Sequence, residues 1–461
     1  MTETKHKATG NVLSKIRDRF PGAQVSIAPL VTFRIAFGLL MLLSMLRFIW
    51  RGWINAVYVQ PRFHFTYMGF DWVHPMGHTG MHMLFVLLAV AALFISLGLL
   101  YRFSIIFFLI GFTYIELLDV TTYLNHYYFI SLMAFILAWL PANRYYAIDT
   151  ILWPAIKRLT VQSWTIDLLR FQMGCVYFFA GVAKLNPDWL FEAIPMRIWL
   201  PAKTHLPLVG PLMYETWVAY LFSWFGAVYD LFIVFLLLQR NTRPYAYAFV
   251  IIFHIATAIF FPMIGVFPYV MMVCSLIFFS PAFHERILSY MPGYRPNYST
   301  SIPTTYNYRQ NNIWGTAIAL YIAIQLLLPF RYLLYPGHLF WHEEGYRFSW
   351  RVMLMEKSGN AYFSVQEKNT GKKIEVNNAE FLTPLQEKMM STQPDLILRY
   401  AHYLAAEYSK RGIINPEVHA EVYVALNGNR SALLTDTTVD LAAQPLSWKH
   451  YTWIKPYKNK E

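Results

Sequence analysis

Long apolar runs separated by short polar loops dominate this sequence, and they constrain its fold more than any other feature. A membrane-spanning helix needs about 20 mainly apolar residues. Charged residues make up only 14% of the chain, against roughly a quarter in soluble domains. We therefore predict an all-α polytopic membrane bundle with about nine transmembrane helices. The nine runs cover residues 30–50, 81–101, 103–118, 124–141, 164–184, 215–238, 245–262, 264–282 and 313–330.

Lysine and arginine concentrate in alternate loops, and this pattern predicts the orientation of the bundle. Cytoplasmic loops of membrane proteins carry an excess of these residues. We therefore predict a cytoplasmic N-terminus and, with nine crossings, a C-terminal region on the opposite side. The richer side holds Lys5, Lys7, Lys15, Arg17, Arg19, Arg102, Arg144, Lys157, Arg158, Arg240, Arg243, Arg286, Arg295 and Arg309. The poorer side holds Arg51, Arg62, Arg197 and Lys203.

The composition becomes that of a soluble domain near residue 340. The stretch "AYFSVQEKNTGKKIEV" predicts two strands around a turn, and "HAEVYVALNGNRSALL" predicts two more around Asn427-Gly428. Between them, "PDLILRYAHYLAAEYSKRG" predicts a helix that stops at Gly412. We expect an N-terminal segment (1–29), a transmembrane catalytic domain (30–335) and an extracytoplasmic, β-rich α+β domain (336–461). The aromatic loop 51–80 is expected at the same surface as this last domain. The apolar face of the predicted helix holds Ile397, Tyr400, Ala401, Leu404 and Tyr408.

Several classes of function lack a signature. The net charge of +12 needs no nucleic acid to explain it, because membrane topology accounts for much of the placement of basic residues. No basic stretch interleaved with aromatics suggests a nucleic-acid partner. We find no phosphate-binding loop, no nucleophile elbow and no HExxH motif. His74, His78 and His82 have the spacing of a metal-binding helical face, but Pro75, Gly77 and Gly80 among them argue against a regular helix. We interpret them as interfacial loop histidines and expect no metal.

Ionisable residues inside the apolar runs are costly and usually face the interior of a bundle. Lys184 ends the fifth run, in "YFFAGVAKLNPDW", and two interpretations fit it. Its ammonium could reach the membrane interface as a snorkelling group, or it could be kept dry so that it acts as a base. For Arg34 and Asp230 we expect pairing with other helices or polar backbone. The remaining ionisable residues are Asp119, His126, Arg170 and His254.

The polar stretch "VTTYLN" interrupts an apolar region between Asp119 and His126. A broken helix at membrane depth is tolerated where it lines a cavity. We therefore consider Asn125 and His126 candidate site residues rather than only core residues.

Seven short segments, taken together and in order, resemble the vitamin K-dependent γ-glutamyl carboxylases and their bacterial relatives. The resemblance runs from about residue 30 to about residue 457. The segments are "FRIAFGLLM", "LDVTTYLNHYYF", "YFFAGVAKLNPDW", "GVFPYVMM", "QLLLPF", "GYRFSWRVM" and "EVYVALNGN".

The resemblance implies a lyase reaction with epoxidase activity in the membrane. A base deprotonates reduced vitamin K, a naphthohydroquinone, oxygen adds, and the resulting strong base removes a γ-proton from a glutamate side chain. The carbanion then captures CO2, and vitamin K epoxide forms. The implied cofactor set is reduced vitamin K with O2 and CO2 as co-substrates and no metal. The implied partners are a glutamate-containing peptide or protein and the lipid bilayer, in a bacterial inner membrane rather than the endoplasmic reticulum.

The resemblance also implies roles for individual residues. Lys184 would be the initiating base, and His126 and Asn125 would donate hydrogen bonds to the glutamate or its carbanion. The implied pocket residues for quinone or glutamate are Asp119, His254, Tyr346, Trp350 and Met353.

The sequence also departs from the family. Ala183 stands where the family has a second lysine, and Arg351 and Met355 stand where the animal enzymes have Asp and His. Two alternatives therefore stay open. One is an enzyme that epoxidises a reduced quinone without carboxylating a protein. The other is a transporter with a proton relay through Lys184, His126 and Asp119, although we find no inverted repeat of the kind that transporters carry.

Overall fold

The computed structural model describes residues 23–294 and 312–457. The basic residues at 5–19, Arg295 and Arg309, which contributed to the predicted orientation, lie outside the described residues.

Within the described residues, seven helices are long and apolar enough to cross a membrane. The protein is therefore an integral, multi-pass membrane protein. The helices in the membrane region are α1 Ala28–Trp50, α2 Gly77–Leu97, α3 Tyr101–Leu118, α4 Asn125–Trp139, α5 Trp164–Ala183, α6 Thr216–Leu238, α7 Arg243–Phe260, α8 Phe267–Cys274, α9 Pro281–Ser289 and α10 Asn312–Leu327.

Seven of the nine predicted spans are found, but the number nine is not confirmed. The fourth run forms α4, which has only 15 residues because its helix begins at Asn125 and ends at Trp139, two residues before Pro141. The eighth run forms α8 and a 3₁₀ turn that ends at Phe278, and α9 then leaves at an angle of 114°. Counting this bent pair as one span gives eight. The last span runs from Gly315 to Leu334, because a 3₁₀ segment continues α10.

Glycines permit the close contacts of two helix pairs, α1 with α2 and α5 with α6. A Cβ on Gly38 would lie 2.5 Å from the backbone nitrogen of Ser96, and one on Gly181 would lie 2.6 Å from that of Leu231. Helices in membranes associate through such small residues because lipid provides no hydrophobic drive between them. The backbones of α5 and α6 therefore touch one turn before Lys184.

The C-terminal region contains a four-stranded antiparallel sheet in the order β4-β3-β5-β6 and is of the predicted α+β kind. Helix α12 packs on β5, and the five residues predicted for its apolar face are all buried. The two predicted strand pairs are confirmed. The strands of the chain are β1 Gln24–Ser26, β2 Thr160–Gln162, β3 Lys357–Glu367, β4 Lys373–Glu375, β5 Pro416–Leu426 and β6 Ala432–Leu433, and the helices of this region are α11 Pro384–Met390 and α12 Pro394–Lys410.

The sheet-containing region lies against one end of the helical bundle. Phe63 of the loop after α1 stacks on Tyr403 with ring centroids 4.3 Å apart. Asp119, at the end of α3, accepts a hydrogen bond from Gln386 at 2.8 Å. Asp188, just after α5, accepts one from Asn427 at 2.6 Å. The loop 51–80 and the C-terminal ends of α3 and α5 therefore share a surface with this region, as predicted for the loop.

Candidate active site

Lys184 lies at the C-terminal end of α5, but its ammonium does not reach the surface. The residue is only 6% exposed. Its Nζ lies 2.6 Å from Oδ2 of Asp230 on α6 and donates to the carbonyl of Ala180 at 3.3 Å. A snorkelling lysine would place its charge in water, whereas this charge is enclosed and paired. The expected pairing of Asp230 with another helix is found, and its partner is Lys184.

The pair borders a cavity of about 320 Å³ between α5, α6, α7 and α8. Among the described side chains around it, Lys184 and Asp230 are the only charged ones. Its volume is within the range of small-molecule sites, which are mostly apolar with a few placed polar groups. The cavity can therefore enclose an aromatic ring beside an ion pair. Its aromatic walls are Trp189, Phe222, Phe225, Phe253, Phe260, Phe261 and Phe267.

A second polar group borders the same cavity. The hydroxyl of Tyr177 lies 3.1 Å from Nε2 of His254 and 3.2 Å from the hydroxyl of Ser275. Tyr177 precedes Lys184 by seven residues, or two turns of α5, so both side chains lie on one face of the helix. His254 was predicted as a pocket residue and does line the cavity.

A strained segment from the C-terminal region closes one wall of the cavity. Val352 and Met353 line it, so the predicted pocket residue Met353 is in contact with the space beside Lys184. Met353 has φ of 52°, and Phe348 and Trp350 before it have φ of 63° and 59°. Such backbone conformations cost of order 1 kcal/mol each in residues other than glycine and cluster at functional sites.

This segment is held by the broken helix between α3 and α4. The side-chain amide of Asn125 donates to the carbonyl of Arg351 at 2.8 Å, and the backbone N–H of Phe348 donates to the hydroxyl of Tyr123 at 2.8 Å. The Asn125 oxygen accepts from the same Tyr123 hydroxyl at 3.0 Å. Asn125 therefore holds the cavity wall and does not itself line the cavity.

His126 is buried next to the cavity but does not line it. Its ring centroid lies 5.9 Å from that of Phe267, which in turn lies 5.6 Å from His254. Phe267 therefore separates the two histidines. The Nε2 atom of His126 has no hydrogen-bond partner within the described residues.

Three other predicted pocket residues lie elsewhere. Tyr346 packs against Phe340 with ring centroids 6.4 Å apart, and Trp350 stacks on Tyr128 at 5.0 Å. Asp119 caps the turn after α3 by accepting from the N–H of Thr121 at 2.9 Å. The structure thus brings Lys184, His254 and Met353 together at one cavity and leaves these three outside it. Their predicted contact with quinone or glutamate stays a prediction.

The sequence analysis did not assign three of these residues, Asp230, Tyr177 and Ser275, to the site. Asp230 was interpreted as purely structural because its partner is distant in sequence, and Tyr177 was not singled out. A signal for Tyr177 existed, since it begins the quoted stretch "YFFAGVAK" on the same helical face as Lys184. Ser275 offered no signal beyond its place in an apolar run.

The histidine loop differs from its prediction. Helix α2 begins at Gly77, so His78 and His82 do lie one turn apart on a regular helix, with ring centroids 4.3 Å apart. Gly77 begins the helix, and Gly80 is tolerated within its first turn. His74 precedes the helix, and the described part of the chain contains no group of three or more histidine, cysteine, aspartate or glutamate side chains placed to hold a metal.

Comparison with known proteins agrees with this architecture. Residues 23–283, more than half of the chain, match the HTTM domain. Residues 310–460 match the lumenal domain of the vitamin K-dependent gamma-carboxylases. No solved structure matches the chain. With a helical HTTM domain that encloses a buried lysine and a C-terminal domain of the carboxylase type, the chain belongs to the vitamin K-dependent gamma-carboxylase family.

Proposed function

We propose that the protein epoxidises a reduced naphthoquinone of the vitamin K type in the cavity beside Lys184 and uses this reaction, with O2 and CO2, to carboxylate the γ-carbon of glutamate side chains. The observation that carries the proposal is the Lys184–Asp230 pair in an otherwise uncharged, largely aromatic cavity. A lone buried ion pair is rarely a stabilising choice, so its presence in a ligand-sized cavity favours chemistry.

The cavity suits a lipophilic ring compound. Its walls offer aromatic side chains for ring packing, and its two polar groups, Lys184 with Asp230 and Tyr177 with His254, can meet the two oxygens of a hydroquinone. Leu221 on α6 and Ile252 on α7 line the cavity while their side chains are 55% and 61% exposed. The space between α6 and α7 therefore opens toward the lipid-facing side, where a quinone tail can remain in the bilayer.

Each residue contributes one physical function. When bound, the reduced quinone supplies the reducing electrons and the acidic hydroxyl. Lys184 takes the proton from that hydroxyl at its Nζ, where it acts as a positioned general base. The indole N–H of Trp189 is already bonded to the carbonyl of Ser223 at 2.7 Å, which fixes the ring as a wall that keeps water from the cavity. Exclusion of water protects the strong base that the coupled reaction requires.

The test is an assay of membranes that contain the protein, with reduced phylloquinone, labelled bicarbonate and a short glutamate-containing peptide. Epoxide and label fixed into peptide are measured separately. We expect both products, and we expect neither with Lys184→Ala. Absence of epoxide from the folded wild-type protein would overturn the proposal. Epoxide formation would also eliminate a pure transporter.

A second candidate is epoxidation without carboxylation. One observation favours it: the two residues assigned to glutamate, Asn125 and His126, do not line the cavity, and the amide of Asn125 is engaged by Arg351 and Tyr123. The same assay separates the candidates, because this enzyme would form epoxide and fix no label into peptide.

We further propose the nine-crossing topology, with a cytoplasmic N-terminus and the domain limits 1–29, 30–335 and 336–461, in a bacterial inner membrane. The bent α8–α9 pair and the short α4 would each cross once. In support, the C-terminal ends of α3 and α5 face the sheet-containing region, whereas β1 pairs with β2 near the start of α1 and of α5. These contacts support the alternation that the proposal requires of the first five crossings.

A further inference from the structure

We infer that Asp230 is the group that finally stores the proton taken from the reduced quinone, and that Lys184 relays it. This inference rests on the proposed function. Both side chains line the cavity, their Nζ and Oδ2 atoms are 2.6 Å apart, and each residue is 6% exposed. A lysine held by a carboxylate at this distance enters the reaction as an ammonium, which has no free electron pair with which to take a proton.

A proton relay gives Lys184 a free electron pair, and every bond that breaks in it is matched by one that forms. The Nζ–H bond that points to Asp230 breaks, and an Oδ2–H bond forms. The electron pair left on Nζ then takes the proton of the quinone hydroxyl, so that the O–H bond of the ligand breaks and a new Nζ–H bond forms. The ligand ends with one negative charge, and the pair ends with one positive charge, as an ammonium beside a neutral carboxylic acid. No electron leaves either residue, and no co-reactant is needed.

The residues around the cavity limit which group can accept a proton from Lys184. Among the lining residues that the structure describes, Asp230 is the only acid. The other titratable groups there are Tyr177 and Lys184 on α5 and His254 on α7. His254 already shares a hydrogen bond with Tyr177, and Tyr177 with Ser275. Lys184, by contrast, contacts Asp230 directly, so the carboxylate is the acceptor that the relay can reach in one step.

A purely structural carboxylate would act differently. It would anchor the ammonium and never change its own protonation. Asp230→Asn separates these roles, because the amide oxygen still accepts a hydrogen bond from Nζ and fills the same volume but cannot take a proton. Asp230→Glu keeps the carboxylate. Asp167→Asn is the matched control, since Asp167 lies on α5 away from the cavity, with its side chain 56% exposed and paired with Arg170.

The experiment uses the purified full-length protein and reduced phylloquinone without oxygen, so that proton transfer is observed without turnover. Infrared difference spectra should show a new carboxylic-acid C=O band when the wild-type protein binds the ligand. The band should shift in protein made with carboxyl-¹³C aspartate, persist in Asp167→Asn and vanish in Asp230→Asn. Equilibrium binding of reduced phylloquinone should change by less than about threefold in Asp230→Asn, while its epoxide rate with oxygen falls by about 100-fold or more. Asp230→Glu should recover part of that rate.

The possible results distinguish failure of the relay from failure of the proposed function. A wild-type protein that binds reduced phylloquinone without an aspartate band overturns the inference, as does an Asp230→Asn variant with the wild-type epoxide rate. Should Asp230→Asn fail to fold, Asp230→Glu decides the question, because its new carboxylic-acid band should no longer shift with carboxyl-¹³C aspartate. A folded wild-type protein that neither binds reduced phylloquinone nor forms epoxide overturns the proposed function itself, which is a different result from loss of the relay alone.

Discussion

Lys184 and Asp230 form their ion pair beside a close contact of α5 and α6, where Gly181 meets the backbone of Leu231. The two charges would each be expensive in this low-dielectric setting, and each offsets the cost of the other. The pair therefore links α5 to α6, and under the proposed function it would also carry the proton chemistry.

Substitution of Lys184 distinguishes these functions. Lys184→Ala should abolish epoxide formation and, by leaving Asp230 as an unpaired buried carboxylate, lower the free energy of unfolding by about 3–5 kcal/mol. This differs from the expectation for an isolated lysine, whose removal would relieve a cost. Activity and thermal unfolding of the same detergent preparation measure both effects.

Lys184→Arg separates a structural role of Lys184 from a catalytic one. Arginine keeps the ion pair with Asp230, so stability should remain within about 1 kcal/mol of the wild type. Its pKa above about 12 prevents it from giving up a proton at neutral pH, so epoxide formation should still be lost. An arginine variant with near wild-type activity would show that Lys184 is structural.

His126→Ala tests the separation between the two products. If His126 donates to the glutamate or its carbanion, label fixed into peptide should fall by about 100-fold while epoxide formation changes little. Equal loss of both products would instead assign His126 to the quinone step. The ratio of epoxide to fixed label in one reaction mixture is the measurement.

Gly181 should tolerate no side chain. A methyl group at this position would lie 2.6 Å from the backbone nitrogen of Leu231, so Gly181→Ala must force α5 and α6 apart. We expect a loss of about 1–3 kcal/mol and a lower epoxide rate, because the same movement separates Lys184 from Asp230. Thermal unfolding and the epoxide assay report the two effects.

Gly174→Ala provides the control on the same helix. A Cβ there would lie 3.5 Å from Cγ1 of Val234, an ordinary contact distance. Alanine also favours helix over glycine by roughly 0.5–1 kcal/mol, so stability should be unchanged or slightly higher. Equal losses in both variants would mean that the contact at Gly181 is not special.

The sequence predicted what depends on local pattern. Apolar run length located seven spans, and period and turn chemistry located the sheet and α12 with its buried face around Tyr400. The length of an apolar run does not predict where a helix ends, because the end depends on individual residues that stop the helix. Gly98, with φ of 66°, ends α2 earlier than predicted, and α4 ends at Trp139, two residues before Pro141. These shifts explain why the predicted second and fourth spans differ from the helices observed.

The sequence identified a candidate site residue only where that residue is unusual in its local surroundings. Lys184 was identifiable because a cation at the end of an apolar run is unusual. Its partner Asp230 is 46 positions away, and no local pattern records such a tertiary contact. Tyr346 and Trp350 were expected near the quinone because of the family resemblance of the segment "GYRFSWRVM", the end of which does reach the cavity. The positive φ values at Phe348, Trp350 and Met353 turn that segment so that Val352 and Met353 reach the cavity instead.

Stability should decrease in mild acid because of His342, which lies outside the membrane-spanning segments. Burial, together with the nearby His450 and Lys357, lowers the pKa of His342 from 6.5 to about 4. The backbone N–H of Glu344 donates to its Nδ1 at 3.0 Å, so this nitrogen is unprotonated in the fold. The unfolded chain therefore binds more protons between pH 6.5 and pH 4, and the free energy of unfolding falls as the pH drops through this window.

The expected loss is up to about 3 kcal/mol. His342→Gln keeps an oxygen that can accept from Glu344 and removes the titration, so its unfolding temperature should depend less on pH. His205→Gln, which changes an exposed histidine, should leave the wild-type dependence intact. Parallel pH profiles for the wild type and His342→Gln would refute the assignment.

The last prediction concerns which side of the membrane each loop faces. The two natural cysteines, Cys175 and Cys274, are buried, so a cysteine added at an exposed loop position should be the reactive one. Ala155, Ala202 and Ser431 are exposed and small, which makes Ala155→Cys, Ala202→Cys and Ser431→Cys mild changes. In oriented membranes, an impermeant thiol reagent should modify positions 202 and 431 from one side and position 155 from the other. This follows because an odd number of crossings separates residue 155 from both positions when α5 spans once and the segments from α6 to α10 span four times. Modification of positions 155 and 431 from the same side would refute nine crossings.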